Sequence, residues 1–235
     1  MCLVFFDFDK TLTKIDTTLP FASFLSSKRN NRKRYILWLC IYLLFRFKLV
    51  SNHGMKQWFV KLFLCDESVD QTTALAKEFF HEYLNTIKNQ EVVNRLVQYA
   101  EKDDEIYIVS ANFTFILTPL QDIWPIRGVI ATQPEINKGC FNGILLDQTC
   151  NGKEKLMKVI SRFGEKKVRE ATVYGDNVGD LYLLEYAKKG YMVQFERESN
   201  MVVNLYEKAG LFFKGVQFLK SKNCFKGRTR ISLFG

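Results

Sequence analysis

The sequence predicts an α/β fold, with a parallel sheet flanked by helices and a block of helices inserted after the first strand. Three observations carry that expectation. Short apolar runs of strand length recur at residues 2–8, 106–110, 128–132, 171–175 and 190–195. Helical patterns lie between the later four, and strands alternating with helices imply a parallel sheet covered on both faces. Residues 15–103 break the alternation and look mostly helical.

The first run, at residues 2–8, is rich in Phe with a Val, and a continuous apolar run reads as a buried strand. Within the insertion Val69, Ala76, Phe79, Phe80, Tyr83 and Ile87 recur at three-four spacing, so that segment is expected to be an amphipathic helix. IYIVS (106–110) is the second strand, and residues 112–122 read as a short helix. GVIAT (128–132) is the third. Around residues 133–150, Gly139 and Gly143 punctuate alternating Phe141, Ile144 and Leu146, which suggests a hairpin-like flap. Residues 153–163 place Leu156, Val159, Ile160 and Phe163 on one helical face. ATVYG (171–175), a helix through Leu181, Leu184 and Tyr186–Ala187, and GYMVQF (190–195) complete the series. The expected organisation is a core of residues 1–14 and 104–200, a helical cap of 15–103 and a basic C-terminal extension of 201–235.

The chain has 235 residues, 47% of them hydrophobic, so one sizeable core is expected and global disorder is not. Four prolines and 13 glycines argue against long structureless linkers. A net charge of +9 points to anionic partners: a phosphorylated substrate, an acidic membrane surface or nucleic acid. No nucleic-acid motif is recognisable, so nucleic acid is the least expected of the three. Six cysteines include no CxxC pair and come with only two histidines, which argues against zinc. Acidic residues follow the start at once, unlike a secretory signal, so the expected setting is cytoplasmic, with reduced cysteines that mostly fill the core. Nothing in the sequence sets an oligomeric state.

Three polar stretches stand at the ends of expected strands: DFDKTLT (7–13), SAN (110–112) and GDNVGD (175–180). A fourth, GKEK (152–155), opens a helix. Each alone has a bland explanation. A D-x-D pair can be an exposed turn, a lone Ser a helix cap, a lone Lys a solvated residue. Their placement changes that, because open α/β sheets bind ligands beyond the carboxyl ends of their strands. Asp7 and Asp9, one residue apart beside a buried strand, repel each other and resist desolvation unless something compensates.

Taken together and in order, these stretches resemble the haloacid dehalogenase superfamily of phosphotransferases, over about residues 2–14 and 104–195. DFDKTLT is similar to the family's D-x-D-x-T signature, and Ser110, the lysine of GKEK and the GDxxxD of 175–180 follow in family order. The resemblance implies a Rossmann-like core with a cap after the first strand, and a Mg²⁺-dependent phosphatase. Asp7 would be the nucleophile and Asp9 the general acid and base. Asp7, Asp176 and the Asp9 backbone carbonyl would hold the metal, with Asp180 supporting that shell. Ser110 and Ala111 would bind the phosphoryl group, helped by backbone N–H groups at the following helix start. Lys153 or Lys155 would supply charge, G-x-x-K spacing favouring Lys155, and Thr11 would orient Asp9 or its loop. Within the superfamily the layout resembles subfamily IB, which includes phosphoserine phosphatase and bacterial phosphatidylglycerophosphate phosphatase.

The insertion bears on substrate. In KRNNRKRYILWLCIYLLFRFKLV (28–50), five cations in seven residues precede eleven uncharged residues. Eleven helical residues reach about 16 Å, half of a bilayer core of about 30 Å. The run cannot span alone. It is either a cap helix buried against its neighbours or a helix lying in the cytoplasmic leaflet, with Tyr35, Trp38 and Tyr42 at the interface. MKQWFVKLFLC (55–65) is a second apolar stretch, carrying Trp58. After Glu207 no acid follows, while Lys208, Lys214, Lys220, Lys222, Lys226, Arg228 and Arg230 do, with Phe212, Phe213, Phe218 and Phe225 interspersed. The expected function is phosphomonoester hydrolysis on a lipid or membrane-associated phosphate such as phosphatidylglycerophosphate. The alternatives are a soluble phosphatase for a phosphoserine-like or sugar phosphate, and a non-catalytic binding protein.

Overall fold

The computed structural model describes residues 2–193. The last residues of the expected fifth strand and the basic extension 201–235 lie outside the described residues.

Five parallel strands form the central sheet: β1 (Leu3–Phe6), β2 (Glu105–Phe113), β3 (Gly128–Thr132), β6 (Thr172–Gly175) and β7 (Lys189–Met192). Their order is β3-β2-β1-β6-β7, so β1 is central. Val4, Phe5 and Phe6 are fully buried, because both faces of a central parallel strand are covered. Val4 and Phe6 join one core, with Ile106, Ile108 and Tyr174. Leu3 and Phe5 join the other, with Tyr107, Val109 and Val173. Helices α7 (Lys153–Phe163), α8 (Glu165–Arg169) and α9 (Leu181–Tyr186) cover that second face through Val159, Val168, Leu183 and Leu184.

Between β1 and β2 stand α1 (Thr18–Lys28), α2 (Arg32–Arg46), α3 (Asn52–Phe59), α4 (Val69–Ile87) and α5 (Gln90–Ala100). Helix α4 buries Ala76, Phe79, Phe80 and Ile87, on the face the spacing marks. Helix α5 lies against the sheet: Tyr99 packs edge-on to Phe6, and its hydroxyl lies 3.1 Å from that of Tyr174. The hairpin of β4 (Pro134–Asn137) and β5 (Cys140–Leu145) leaves the sheet and grips the insertion. Asp66 N donates to Phe141 O at 2.9 Å, and Phe141 N to Glu67 O at 3.0 Å. Gln57 donates to Gly143 O and accepts from Leu145 N, both at 3.0 Å.

Several expectations change. The first strand ends at Phe6, which leaves Asp7 and Asp9 beyond its carboxyl end. Residues 112–122 are not one helix. Strand β2 runs on to Phe113, paired with Thr132 across a bulge, and only Thr114–Leu117 (α6) is α-helical. A 3₁₀ turn follows over Thr118–Asp122, where Pro119 has no N–H to continue an α-helix. The helix start expected after Ser110 is therefore displaced to Thr114. Tyr35, Trp38 and Tyr42 do not face a bilayer. They are buried, and Trp38 packs edge-on against Phe59 and Phe63 at 5.5 and 6.0 Å. Of the five described cysteines, all free, only Cys150 is buried, so most are not core filler. No helix among the described residues is long and apolar enough to cross a membrane.

Candidate active site

The chain leaves β1 at Phe6 and turns over residues 8–12, with Lys10 in the left-handed region at φ 59°. Asp7 N donates to Tyr174 O at 2.8 Å, which continues the β1–β6 pairing by one residue and fixes the Asp7 backbone. Thr13 closes the turn. Its hydroxyl contacts Ile15 O at 2.8 Å and Phe8 O at 3.1 Å. The expected role of Thr11 is to orient Asp9 or its loop. Thr11 is buried, but its Oγ1 meets no hydrogen-bond partner among the described residues.

Asp7 meets Lys155 across the carboxyl edge of the sheet. Lys155 Nζ donates to Asp7 Oδ1 at 2.8 Å and also to Asp180 Oδ1. Lys155 is 2% exposed, whereas Lys153, on the first residue of α7, faces solvent. Gly152, at φ 59°, turns the chain into α7, and its N–H donates to Gly179 O at 2.9 Å. This joins the α7 start to the loop after β6.

In that loop Asp180 is a hub. Its Oδ2 accepts from Asp176 N at 3.0 Å and from Asn177 N at 3.3 Å, while Oδ1 is held by Lys155. Asn177 caps the same turn, accepting from Gly179 N at 2.7 Å. Ligand atoms of Asp7, Asp176 and Asp180 all lie within 4.8 Å of one another. This donor set is all carboxylate oxygen, which suits a hard divalent cation better than a soft one. The cluster can hold a metal.

The Asp9 side chain points elsewhere. Its Oδ1 accepts from Thr17 N at 2.8 Å and Thr17 Oγ1 at 2.6 Å, and its Oδ2 from Asn112 Nδ2 at 2.9 Å. Ser110 is buried, with its Oγ accepting from Asn112 N at 3.2 Å. Ala111 O accepts from Thr132 Oγ1 at 2.8 Å. A lysine from α3 completes this side. Lys56 is 2% exposed, donates to Thr18 Oγ1 at 3.0 Å and lies 4.8 Å from the Phe113 ring centroid.

Burial dominates the electrostatics. It raises the Asp7 carboxyl well above the usual range; Lys155 opposes the rise, and Asp180 and Asp176 add to it. Burial likewise raises Asp9 to about 6, with Asp16 adding and Lys56 and Thr17 opposing. Asp176 is raised to about 6 by burial and then by Asp180. Lys155 is pulled down by burial, yet Asp7 and Asp180 outweigh this and hold it protonated. Burial lowers Lys56, against Asp16 and Asp9. Neighbouring carboxyls lifted together by burial mark a candidate site for a cation or for proton transfer.

The structure thus groups Asp7, Lys155, Asp176 and Asp180, with Asp9 and Ser110 on the adjoining side and Lys153 and Thr11 outside the polar contacts. Sequence reasoning missed Thr17, Asn112 and Lys56. Asn112 stood inside the quoted SAN stretch. Lys56 sat within an apolar run, where a cation signals either snorkelling or a buried partner.

Comparison with known proteins agrees with the fold. A Bordetella pertussis Tohama I protein of unknown function shares the fold with a TM-score of 0.72 at 19% identity, over 88% of this chain and 95% of that one. A phosphoserine phosphatase, solved as a phospho-aspartyl intermediate analogue, gives a TM-score of 0.57 at 15% identity, over 86% and 90% of the two chains. A phosphoserine phosphohydrolase-like protein from Francisella tularensis subsp. tularensis SCHU S4 gives 0.55 at 20%, over 87% and 93%. No curated protein matches the chain. Residues 4–185 match the family model for haloacid dehalogenase-like hydrolase. The chain belongs to the haloacid dehalogenase-like hydrolase family.

Proposed function

We propose that the protein hydrolyses phosphate monoesters in a Mg²⁺-dependent reaction through a phosphorylated Asp7. One observation carries the reading: Asp7 at the carboxyl end of the central strand, 2.8 Å from the buried Lys155 and clustered with Asp176 and Asp180. Asp7 and Asp176, with the Asp9 carbonyl, would hold the cation. Asp180, already bonded to Lys155, Asp176 N and Asn177 N, would hold the loop. Bound there, Mg²⁺ would neutralise phosphoryl charge and so let an anionic nucleophile approach an anionic substrate.

Each remaining role falls to the chain's own groups. An Asp7 oxygen attacks phosphorus in line, forming the Asp7–phosphorus bond as the bond to the leaving oxygen breaks. The leaving oxygen takes its proton from the Asp9 carboxyl, which a pKa of about 6 keeps partly protonated near neutrality. The Asp9 carboxylate then takes a proton from water. The resulting hydroxide attacks phosphorus, the Asp7–phosphorus bond breaks, and inorganic phosphate leaves with Asp7 restored. Lys155 holds Asp7 in place and offsets charge, and Ser110 and Ala111 line the phosphoryl side.

We assign the cap to α1–α4 and place α5, which packs on the sheet, with the core. Lys56 then brings a cap cation to the Asp9 side, where the leaving group would sit. Both a soluble phosphomonoester and a lipid-borne one fit this chemistry, and the outer face of α2 favours the lipid-borne class. The test is phosphate release from p-nitrophenyl phosphate by the full chain, with Mg²⁺ and with EDTA, alongside intact-mass detection of an acid-quenched phosphoenzyme. Mg²⁺-independent turnover, or a phosphoenzyme that survives Asp7→Asn, would remove the reading.

A further inference from the structure

Helix α2 is apolar on two opposite faces, and only one is covered. Tyr35, Trp38 and Tyr42 turn inward onto the cap core. Ile36 and Leu37 are 61% and 52% exposed, and Leu43 and Leu44 are 43% and 42% exposed. Phe47 and Leu49, in the turn that follows, are each 73% exposed. Positions 36, 37, 43, 44 and 47 fall on one side of the helix at 3.6 residues per turn, opposite 35, 38 and 42. A contiguous open apolar face of this kind marks an interaction surface.

Charge identifies the occupant. Residues 17–65 contain no Asp or Glu. Among their cations, Lys28 pairs with Glu78 and Arg29 with Glu67, Arg34 meets Leu62 O and Lys56 is buried on Thr18. Arg32 and Lys33 at the start of α2, and Arg46 and Lys48 at its end, are exposed and form no ion pair among the described residues. An apolar stripe with free cations at both ends complements an anionic bilayer surface, which offers hydrocarbon and phosphate at adjoining depths. A second copy is a poor partner, because it would set the same unneutralised cations against these.

We propose that the outward face of α2 and the turn after it dock on an anionic membrane surface, the helix lying in the headgroup plane. Ile36, Leu37, Leu43, Leu44 and Phe47 enter the acyl boundary, while Arg32, Lys33, Arg46 and Lys48 meet lipid phosphates. Tyr35, Trp38 and Tyr42 take no part in the insertion, because they hold the helix to the cap. The proposal deepens the lipid-borne substrate reading without depending on the chemistry at Asp7.

The test is co-sedimentation of the full chain with phosphatidylcholine vesicles, with and without phosphatidylglycerol, scored beside p-nitrophenyl phosphate turnover. The wild type is expected to bind the anionic vesicles, to lose binding as salt rises, and to ignore the neutral ones. Changing Ile36, Leu44 and Phe47 together to Gln should lower the partition coefficient on the order of tenfold or more. Changing Arg32, Lys33, Arg46 and Lys48 together to Gln should do the same. Soluble turnover should be unchanged in both. If the apolar variant misfolds, the charge variant reads the same surface. Three outcomes would overturn the proposal: a wild type that does not bind anionic vesicles at low salt, variants that bind as the wild type does, or an apolar face found to hold a dimer that the Gln variants dissociate. Binding that fails while Mg²⁺-dependent turnover persists would sink the docking surface alone and leave the phosphatase reading standing.

Discussion

Asn112 Nδ2 donates to Asp9 Oδ2 and to Thr17 Oγ1, both at 2.9 Å, while Thr17 grips the other Asp9 oxygen through its N–H and its hydroxyl. Two segments more than ninety residues apart thus aim one carboxyl. Phe113 N donates to Asn112 Oδ1 at 2.8 Å, so the amide cannot swing away. Asn112→Leu should keep the fold and lower kcat by roughly 10²-fold, the usual contribution of a positioned acid–base group. Removing a hydrogen bond to the charged form raises a carboxyl pKa, so the Asp9-dependent limb of the pH–rate profile should move to higher pH. A loss of rate with an unmoved limb would assign Asn112 to packing alone.

Asp7→Asn and Lys155→Met separate chemistry from charge balance. Asp7→Asn keeps shape and removes the proposed nucleophile, so turnover and phosphoenzyme should both vanish while the circular dichroism spectrum stays. Lys155→Met leaves Asp7 and Asp180 buried without their shared cation. Breaking a buried pair in this way costs roughly 3–5 kcal/mol, read as a lower urea midpoint in EDTA. Saturating Mg²⁺ should restore part of that stability. A Lys155→Met protein as stable as the wild type in EDTA would mean that the pair is not a buried ion pair in solution.

The sheet was legible because a strand covered on both faces must be apolar throughout, and residues 128–132 and 153–163 form the elements their patterns indicate. The placement of Asp7 and Asp176 followed from that, since each stands just past a strand. The burial of Lys155 rather than Lys153 was also legible in part: Lys155 stands four residues before the buried Val159, on the covered face of α7. The contacts of Asp9 were not. Thr17, Asn112 and Lys56 reach it or its neighbours from segments whose approach depends on how the cap folds back, and no local period encodes that. Helix α2 misled for a related reason. A helix apolar all round gives no direction, so its aromatic residues could be placed outward from the sequence when packing on Phe59 and Phe63 draws them in.

Metal and proton should compete for the site, with a defined sign. Asp7, Asp9 and Asp176 are all raised above the ordinary 3.8, Asp9 and Asp176 to about 6. The folded, metal-free chain therefore binds these protons more tightly than the unfolded chain does. For Asp9 and Asp176 the stabilising contribution is full below about 3.8 and is lost as pH rises through about 6. In EDTA, the unfolding free energy read from urea titrations should fall between pH 5 and pH 7.5, by roughly 2 kcal/mol in all after solvent screening. Saturating Mg²⁺ should flatten or reverse the slope, because the cation takes the place of the protons. Asp176→Asn should reduce the slope in EDTA and shift the Mg²⁺ midpoint for activity upward about tenfold or more. An unfolding free energy independent of pH in EDTA would contradict the clustering of raised carboxyls.

Gly175 tests whether Asp180 holds the metal loop. A Cβ placed on Gly175 would lie 2.6 Å from the Asp180 Cβ and Cγ and 2.7 Å from its Oδ2. The clash reaches the base of the Asp180 side chain, so no rotation of a flexible tip relieves it. Asp180 Oδ2 is the acceptor that pins Asp176 N and Asn177 N. Gly175→Ala should therefore cost about 1–3 kcal/mol from overpacking and also displace Asp176. The expected readouts are a lower thermal midpoint and a raised Mg²⁺ midpoint for activity. Gly152→Ala is the contrast. Gly152 has φ +59° and ψ −132° and nothing within 4 Å of its would-be Cβ, so alanine there strains the backbone by about 1–3 kcal/mol and touches no carboxylate. It should lower stability with little change in the Mg²⁺ midpoint. Equal metal midpoints in the wild type and both variants would show that the carboxyl of Asp180 does not set the position of Asp176.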